Sequence, residues 1–588
     1  MRKQIGPLLA GICLSFHMQA QQATFCNPVN IDYGYCPIPN FSDAGKHRAT
    51  ADPVIINFKG DYYLFSTNQQ GYWWSSDLST WNFVPQRFLT QEAIDQTPNK
   101  WDDLCAPAAW AQGDSLMVFG STYSRLFPIW YSTNPKDPNP TWNKAIDKLD
   151  IGGWDPAFYI DDDQRLYMYN GSSNVYPLYG IELDRNTFEP IGTRKELLLC
   201  DSERIGWHRF GEHMDNSFLK PFMEGAWMTK HNNKYYLQWG GPGTEFSHYA
   251  DGYAVGDSPL GPFRHASLPL SMKAGGFARG AGHGGTFQDN WQNYWHVSSM
   301  TIAVKNNFER RIGIWPAGFD QEGNMYCNTA FGDYPHYLPK GETDHLKSRF
   351  TGWMLLNYNK PVRVSSVLGG YLPNNSVDEN IKTYWSAKTG DKGEWLISDL
   401  GDVSTVHAIQ INYADQDAEF EGKTIGKCHQ YVVFHSLDGK KWNTLIDKRK
   451  NQKDVPHDYV ELQKPVKTRY LKIENIHMPT GKFAISGFRA FGYGNGEKPA
   501  PVSNFMALRG ESNVMSAWLR WKTVDNAYAY NIYIGIEPDK LYNCVMVHNV
   551  NEYYYHGMDK TKPYYFAIEA INENGTSEWV HATAPLPY

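Results

Sequence analysis

Five short runs of one type recur in the first half of the chain: DYYLFST from Asp61, SLMVFGS from Ser115, RLYMYNG from Arg165, KYYLQWG from Lys234 and NYWHVSS from Asn293. Each is aromatic, β-branched or apolar, ends in small polar residues, and follows the last by roughly 50 to 70 residues, a period that reads as the blades of a β-propeller. Five runs predict five blades. Eleven or twelve residues upstream of the third residue of each run stand Asp52, Ala106, Asp155, Glu224 and His283. The innermost strand of every blade lines the central channel, so equivalent positions converge on one axis. Two Asp, one Glu and one His are thus expected around a single pocket. A turn or cap role is the plain alternative, common for Asp before Pro, and five coincident offsets weigh against it.

A carboxylate pair flanking a glycosidic bond supplies an acid for the leaving oxygen and a base or nucleophile for the other side of the ring. Glu224 lies in KPFMEGAWMTK, among apolar residues. Burial there would keep its proton on near neutrality, which makes it the expected acid. Asp52 is the expected base, and Asp155, one inner strand from Glu224, the expected modulator of its pKa. Composition limits the partners. The chain of 588 residues carries a formal charge of −7 with no clustered basic run, which excludes nucleic acid and an anionic membrane surface as expected partners. Its 15% aromatic content suits the C–H faces of sugars, but strands of any all-β protein also use Tyr and Trp.

The ADPVI around Asp52, WDPAF around Asp155, MEGAWM around Glu224 and GAGHGGTF around His283 resemble glycoside hydrolase family 43. SSDLSTW, SPLGPF and ERRIGIWPAGFDQEG add to the resemblance, which spans about residues 25 to 340. It implies a secreted five-bladed propeller enzyme that inverts the anomeric centre, with Asp52 as general base, Asp155 as pKa modulator and Glu224 as general acid. It also implies that Trp154 and Arg311 contact the sugar and that His283 faces an axial ion, often calcium, through water. His283 alone reads more simply as a satisfied core histidine. Where the family often has Trp-Ala-Pro, this chain has Cys105-Ala106-Pro107, so one aromatic wall of the sugar site is expected to be missing or to be supplied by Trp101 or Trp73. The segment Asp201 to Asn216 reads as a rim loop, with Trp207, His208 and Arg209 as candidate contacts, or as a surface loop with none.

Residues 351–494 resemble a discoidin or F5/8 type C jelly roll, through NNSVDENIKTYWSA, HSLDGKKWN and AISGFRAFGYG. That fold often binds carbohydrate and holds a structural calcium, which makes Asp378 a candidate ligand. After GYGNGEKPAPVS, residues 500–588 resemble a fibronectin type III sandwich acting as a spacer or docking surface. The expected whole is all-β: a five-bladed propeller over 21–350, then a jelly-roll and an immunoglobulin-like β-sandwich. The active site is expected to lie wholly in the propeller, so that loss of the jelly roll would spare activity on small substrates.

Residues 1–20 read as a secretory signal, with Arg2 and Lys3 before an apolar stretch and cleavage after Ala20. A lipid on Cys13 is the alternative. Removing Cys13 leaves seven cysteines, of which Cys26 and Cys36 are a candidate pair in an oxidising compartment. The expectation is a secreted or periplasmic monomer, free of membrane insertion, that needs no cofactor for chemistry. Its expected substrate is a plant or related polysaccharide, cut from the end, with α-L-arabinofuranose first, then β-xylose and galactose in either ring form. A galactose oxidase-like copper enzyme and a sialidase lack support in the motifs, and a non-catalytic sugar-binding propeller is the reading of another class.

Overall fold

The computed structural model describes residues 22–35, 47–97, 102–122, 127–149, 151, 153–344, 346–419, 423 and 426–586. The signal segment, Cys13, Cys36 and Trp101 lie outside them. Among the described residues no helix is long and apolar enough to cross a membrane.

The first half consists of five antiparallel four-stranded units in chain order. Blade one is Val54–Phe58, Asp61–Phe65, Gly71–Ser75 and Asn82–Pro85; blade two is Cys105–Gln112, Ser115–Ser121, Ile129–Ser132 and Asn143–Ile146. Blade three is Ala157–Ile160, Leu166–Asn170, Leu178–Leu183 and Pro190–Leu198; blade four is Glu224–His231, Lys234–Gly241, Ala250–Gly256 and Phe263–His265. Blade five is Arg279–Gln288, Tyr294–Thr301, Arg310–Phe319 and Met325–Cys327. Consecutive inner strands touch, and the inner strand of blade five touches that of blade one. Each aromatic run is the second strand of its blade, buried from both sides between neighbouring sheets, which explains its continuous apolar character.

The small polar ends of those runs have a specific use. Just before the inner strands of blades one and three, and at register shifts within those of blades two and five, Asp52, Asp155, Ala106 and His283 hold φ of 54°, 54°, 42° and 51°, a left-handed conformation that is costly for residues with a side chain. Hydroxyls of a neighbouring blade hold three of them: Ala106 N donates to Thr67 Oγ1 at 2.8 Å, Asp155 N to Ser121 Oγ at 3.1 Å, and Asp52 N to Ser299 Oγ at 2.9 Å. In blade four the left-handed place belongs to Gly225, with φ of 62°. Glu224 therefore stands one residue before the left-handed place, which the offset of eleven or twelve residues conceals because the inner hairpins differ by one residue in length. Glycine is required at 225: a Cβ there would lie 2.4 Å from His283 Cδ2.

Residues 354–493 build one sheet system around the long strands Trp395–Tyr413 and His457–His477, with its own core of Trp385, Ile409, Ile473, Phe483 and Phe488. Residues 503–584 form a three-stranded and a five-stranded sheet packed on each other. The core of this last region is continuous with that of the propeller: Trp521, Ile532 and Phe566 share one cluster with Trp207, Met228 and Trp239.

Candidate active site

A cavity of about 320 Å³ is lined by Asp52, Asp155, Glu224 and His283, the four ionisable residues that the repeat brings together. Imidazole and carboxylates interlock: His283 Nδ1 lies 3.3 Å from Asp52 Oδ1 and 3.7 Å from Asp155 Oδ2. Asp155, Glu224 and His283 each place a polar atom within 4.8 Å of the other two. Asp52 also accepts from Thr67 Oγ1 at 2.6 Å and from Arg310 Nη1 at 3.1 Å. Glu224 accepts from Tyr249 OH at 2.6 Å and from Ser172 Oγ at 3.1 Å.

These neighbours divide the carboxylates. Burial alone would raise the Asp52 pKa, but Arg310, His283 and the Thr67 hydroxyl outweigh it and hold the carboxyl below its usual value. Asp155 has no such cation of its own. Burial pushes its carboxyl up to about 7; His283 opposes this, and the negative charges of Glu224 and Asp52 add to it. Burial lowers the pKa of His283, yet Asp52, Asp155 and Glu224 together raise it above the ordinary histidine value. One carboxylate is thus kept ionised while a second, close to Glu224, retains a proton near neutrality.

The sequence placed the apolar environment on the wrong carboxyl. Met223, Ala226 and Met228 turn into the core shared with the C-terminal region, whereas Glu224 is only half-buried and faces Ser172 and Tyr249. The register shift between Glu224 and Trp227 separates these two environments, since strict alternation would put Glu224, Ala226 and Met228 on one face. Strand alternation corrects Arg311. Arg310 faces the cavity and binds Asp52, while Arg311 turns away and donates through Nε to His457 Nε2 at 2.8 Å. Trp73 is fully buried in the middle of blade one against Phe83, with Nε1 donating to Asp32 Oδ1 at 2.5 Å, so it is no sugar wall.

Trp154, 40% exposed, lines the cavity as expected, together with Phe222, Phe308 and the small Cys105 and Ala106. Glu245 is a further cavity carboxyl that the sequence reading missed, raised by burial and by the charge of Glu224. Thr67 and Ser172 were also missed, although the small polar strand ends pointed at them.

Other expectations fall outside the cavity. Trp207 stacks on Trp239 with ring centroids 5.0 Å apart, and Gly206 N donates to Met558 O at 2.9 Å, so the 201–216 segment docks the C-terminal region. Arg209 Nε bonds Ser202 O at 3.0 Å. Asp378 accepts from Thr383 Oγ1 at 2.5 Å and from Asn380 N at 3.1 Å. Among the described residues no three ligand-type side chains gather around it. At the cavity, the set Asp155, Glu224 and His283 offers two carboxylates and an imidazole that pairs with Asp52 and Asp155. Calcium takes six to eight oxygen ligands, so these residues do not fit a directly bound ion. Cys26 has a free thiol that donates to Asp333 O at 3.1 Å.

The bladed all-β fold thus brings three carboxylates and a histidine from the heads of four inner strands to one cavity. Residues 46–325 match the model of glycosyl hydrolases family 43, and residues 361–486 match that of the F5/8 type C domain. Residues 46–325 are thus a glycosyl hydrolase family 43 region, and an F5/8 type C domain follows it. A curated relative, the beta-xylosidase of Xylanibacter ruminicola, is 23% identical over 193 residues. That match takes in 30% of this chain and 58% of the relative's length. Among solved structures, the endo-1,4-beta-xylanase of Bacteroides thetaiotaomicron aligns with 48% of this chain and 95% of its own at 20% identity and a TM-score of 0.39. An alpha-L-arabinanase of Cellvibrio cellulosa bound to arabinohexaose aligns with 48% and 96% at 17% identity and a TM-score of 0.38.

Proposed function

We propose that the chain is an exo-acting, inverting glycosidase that acts outside the cytoplasm on the side chains of plant or related polysaccharides. α-L-Arabinofuranose is the first expected terminal sugar; β-xylose and a galactose in furanose or pyranose form are the alternatives. The observation that carries the reading is the division of labour around one cavity. Asp52, kept ionised by Arg310 and Thr67, is suited to take a proton from water. Glu224, half-buried beside the exposed Trp154 and Phe222, is suited to protonate the leaving oxygen. Asp155 shares the Ser172 hydroxyl with Glu224, and its own protonation sets the charge that Glu224 meets.

A cavity of about 320 Å³ suits one terminal sugar ring better than a length of chain, which favours exo action. The relative named beta-xylosidase supports a pentoside among the candidates. A screen of nitrophenyl glycosides, followed by identification of the sugar released from arabinan, xylan and arabinogalactan, tests the reading. Release of a single monosaccharide from one polymer is expected. Release of oligosaccharides only would contradict exo action, and inactivity on every substrate would favour a sugar-binding propeller.

A further inference from the structure

The stretch that leads into Asp52 is anchored by charges from outside the propeller. Arg48 is 2% exposed, and its guanidinium meets Asp415 through Nη1 and Asp454 through Nη2 at 2.9 and 2.8 Å; both carboxylates belong to the F5/8 type C domain. The Arg48 amide donates to Asp415 Oδ2 at 2.9 Å, and Tyr35 OH donates to Asp415 Oδ1 at 3.2 Å. Arg311 Nη1 then donates to Arg48 O at 2.7 Å and to Arg310 O at 3.0 Å, while its Nη2 lies 3.7 Å from Asp415 Oδ2. Thr50 N donates to Arg310 O at 3.3 Å.

The charges balance only across the domain boundary. Arg48 and Arg311 come from the propeller side, Asp415 and Asp454 from the other, and all four are buried. The two histidines of the cluster do not disturb that balance, since burial holds His429 and His457 below the ordinary histidine value. Neutral His457 accepts from Arg311 Nε through Nε2, so its Nδ1–H faces Asn412 Oδ1 at 2.8 Å. Removing the charge of one member while the interface stays closed would strand a buried counter-charge, which is strongly unfavourable.

The cluster reaches the cavity along two covalent paths. Arg48 lies four residues before Asp52, and Arg311 adjoins Arg310, the cation that binds Asp52 Oδ1. We infer that Asp415 and Asp454 of the F5/8 type C domain, acting through Arg48 and Arg311, position Asp52 and Arg310, so that this domain completes the site that the propeller was expected to build alone. The inference rests on the reading of Asp52 as the base. The four cluster residues are positioning residues and touch no substrate.

The test uses the full chain. Asp415→Asn keeps the shape and removes the charge, and is assayed with 4-nitrophenyl α-L-arabinofuranoside and 4-nitrophenyl β-D-xyloside. Loosening Arg310 from Asp52 should raise the pKa of the base, so the acid limb of kcat/KM should move up by about half a pH unit or more. The maximum of kcat/KM should fall about fivefold or more, and Asp415→Glu should recover part of it. Peptides over 47–52 and 308–313 should exchange amide hydrogen faster in Asp415→Asn, a readout that needs no substrate. If that variant does not fold, Arg311→Lys keeps the charge and loses the bridge from Arg48 O to Arg310 O, and the same shifts are expected. A folded variant with an unmoved acid limb, unchanged kcat/KM and unchanged exchange overturns the inference. Asp52→Asn separates the two readings: turnover at the wild-type rate sinks the base assignment, whereas its inactivity beside an unaffected Asp415→Asn sinks only the positioning role.

Discussion

The two regions behind the propeller differ in what they place beside the cavity. The C-terminal region docks by apolar burial, its Trp521, Ile532 and Phe566 continuing the core of blades three and four. Its polar contacts involve none of the residues that line the cavity: Arg204 Nη1 meets Asp559 Oδ2 at 2.5 Å, Ser267 Oγ donates to the same oxygen at 2.8 Å, Tyr542 OH donates to Asp320 Oδ2 at 2.9 Å and Asn543 Nδ2 to Pro269 O at 2.9 Å. The F5/8 type C domain has a core of its own and a smaller apolar cluster, of Met354 and Phe491 with Phe331 and Tyr334, at the propeller side, and beside the cavity it meets the propeller through the buried Arg48, Arg311, Asp415 and Asp454. Apolar contact is non-directional and contributes stability in proportion to area. A buried charge cluster contributes little net stability but is severe about geometry, since displacing one member strands another. The charged interface is the one that adjoins the base.

The largest contrast is expected between two arginines. Arg310→Met removes the cation on Asp52, so kcat/KM should drop by about 100-fold or more and the acid limb should move to higher pH. Arg204→Met, on the apolar side, should leave both unchanged in a full pH–rate profile. A comparable loss from Arg204 would show that the C-terminal region also reaches the site.

Stability should rank the two sides the other way. Trp521→Ala removes a buried ring from the shared core and should cost about 3–5 kcal/mol, read by denaturant unfolding, with little change in kcat of the folded protein. An equal loss of kcat would erase the distinction between the two interfaces.

Within the cavity, Asp155 supplies a pH test. Its folded-state carboxyl, at about 7, holds a proton that the unfolded chain loses near 3.8, so native stability should fall as pH rises between those values. Asp155→Asn should flatten that slope and gain on the order of a few kcal/mol over wild type at pH 8, measured by urea unfolding. A parallel pH dependence in both proteins would show that Asp155 ionises normally. The smallest effect concerns the aromatic residues: Trp154→Ala should raise KM several-fold, whereas Trp73→Phe should leave KM untouched and lower only the melting temperature.

The propeller was legible because its signal is a repeat. Buried second strands announce themselves by continuous apolar runs, and the left-handed residues at the head of the inner strands carry three of the four ionisable groups that the repeat brings to the cavity, at offsets of eleven or twelve residues. What failed was resolution at the level of a single residue. A one-residue difference in hairpin length moved Glu224 out of step with Gly225, and strand alternation exchanged Arg311 for Arg310. Trp73 and Trp207 illustrate a second limit, since aromatic content does not tell a sugar platform from a core ring. The Arg48 cluster was invisible for a third reason: its partners lie more than 360 positions away in sequence, and no local pattern marks a residue whose counter-charge sits in another domain.

In the proposed reaction Asp52 activates water on one side of the sugar while Glu224 protonates the leaving oxygen on the other. Proton NMR of the first product formed from the aryl glycoside that the screen identifies, recorded before mutarotation, reads this stereochemistry. The anomer opposite to that of the substrate is expected, with no product from Asp52→Asn. Retention of the substrate's configuration, or unimpaired turnover by Asp52→Asn, would contradict it.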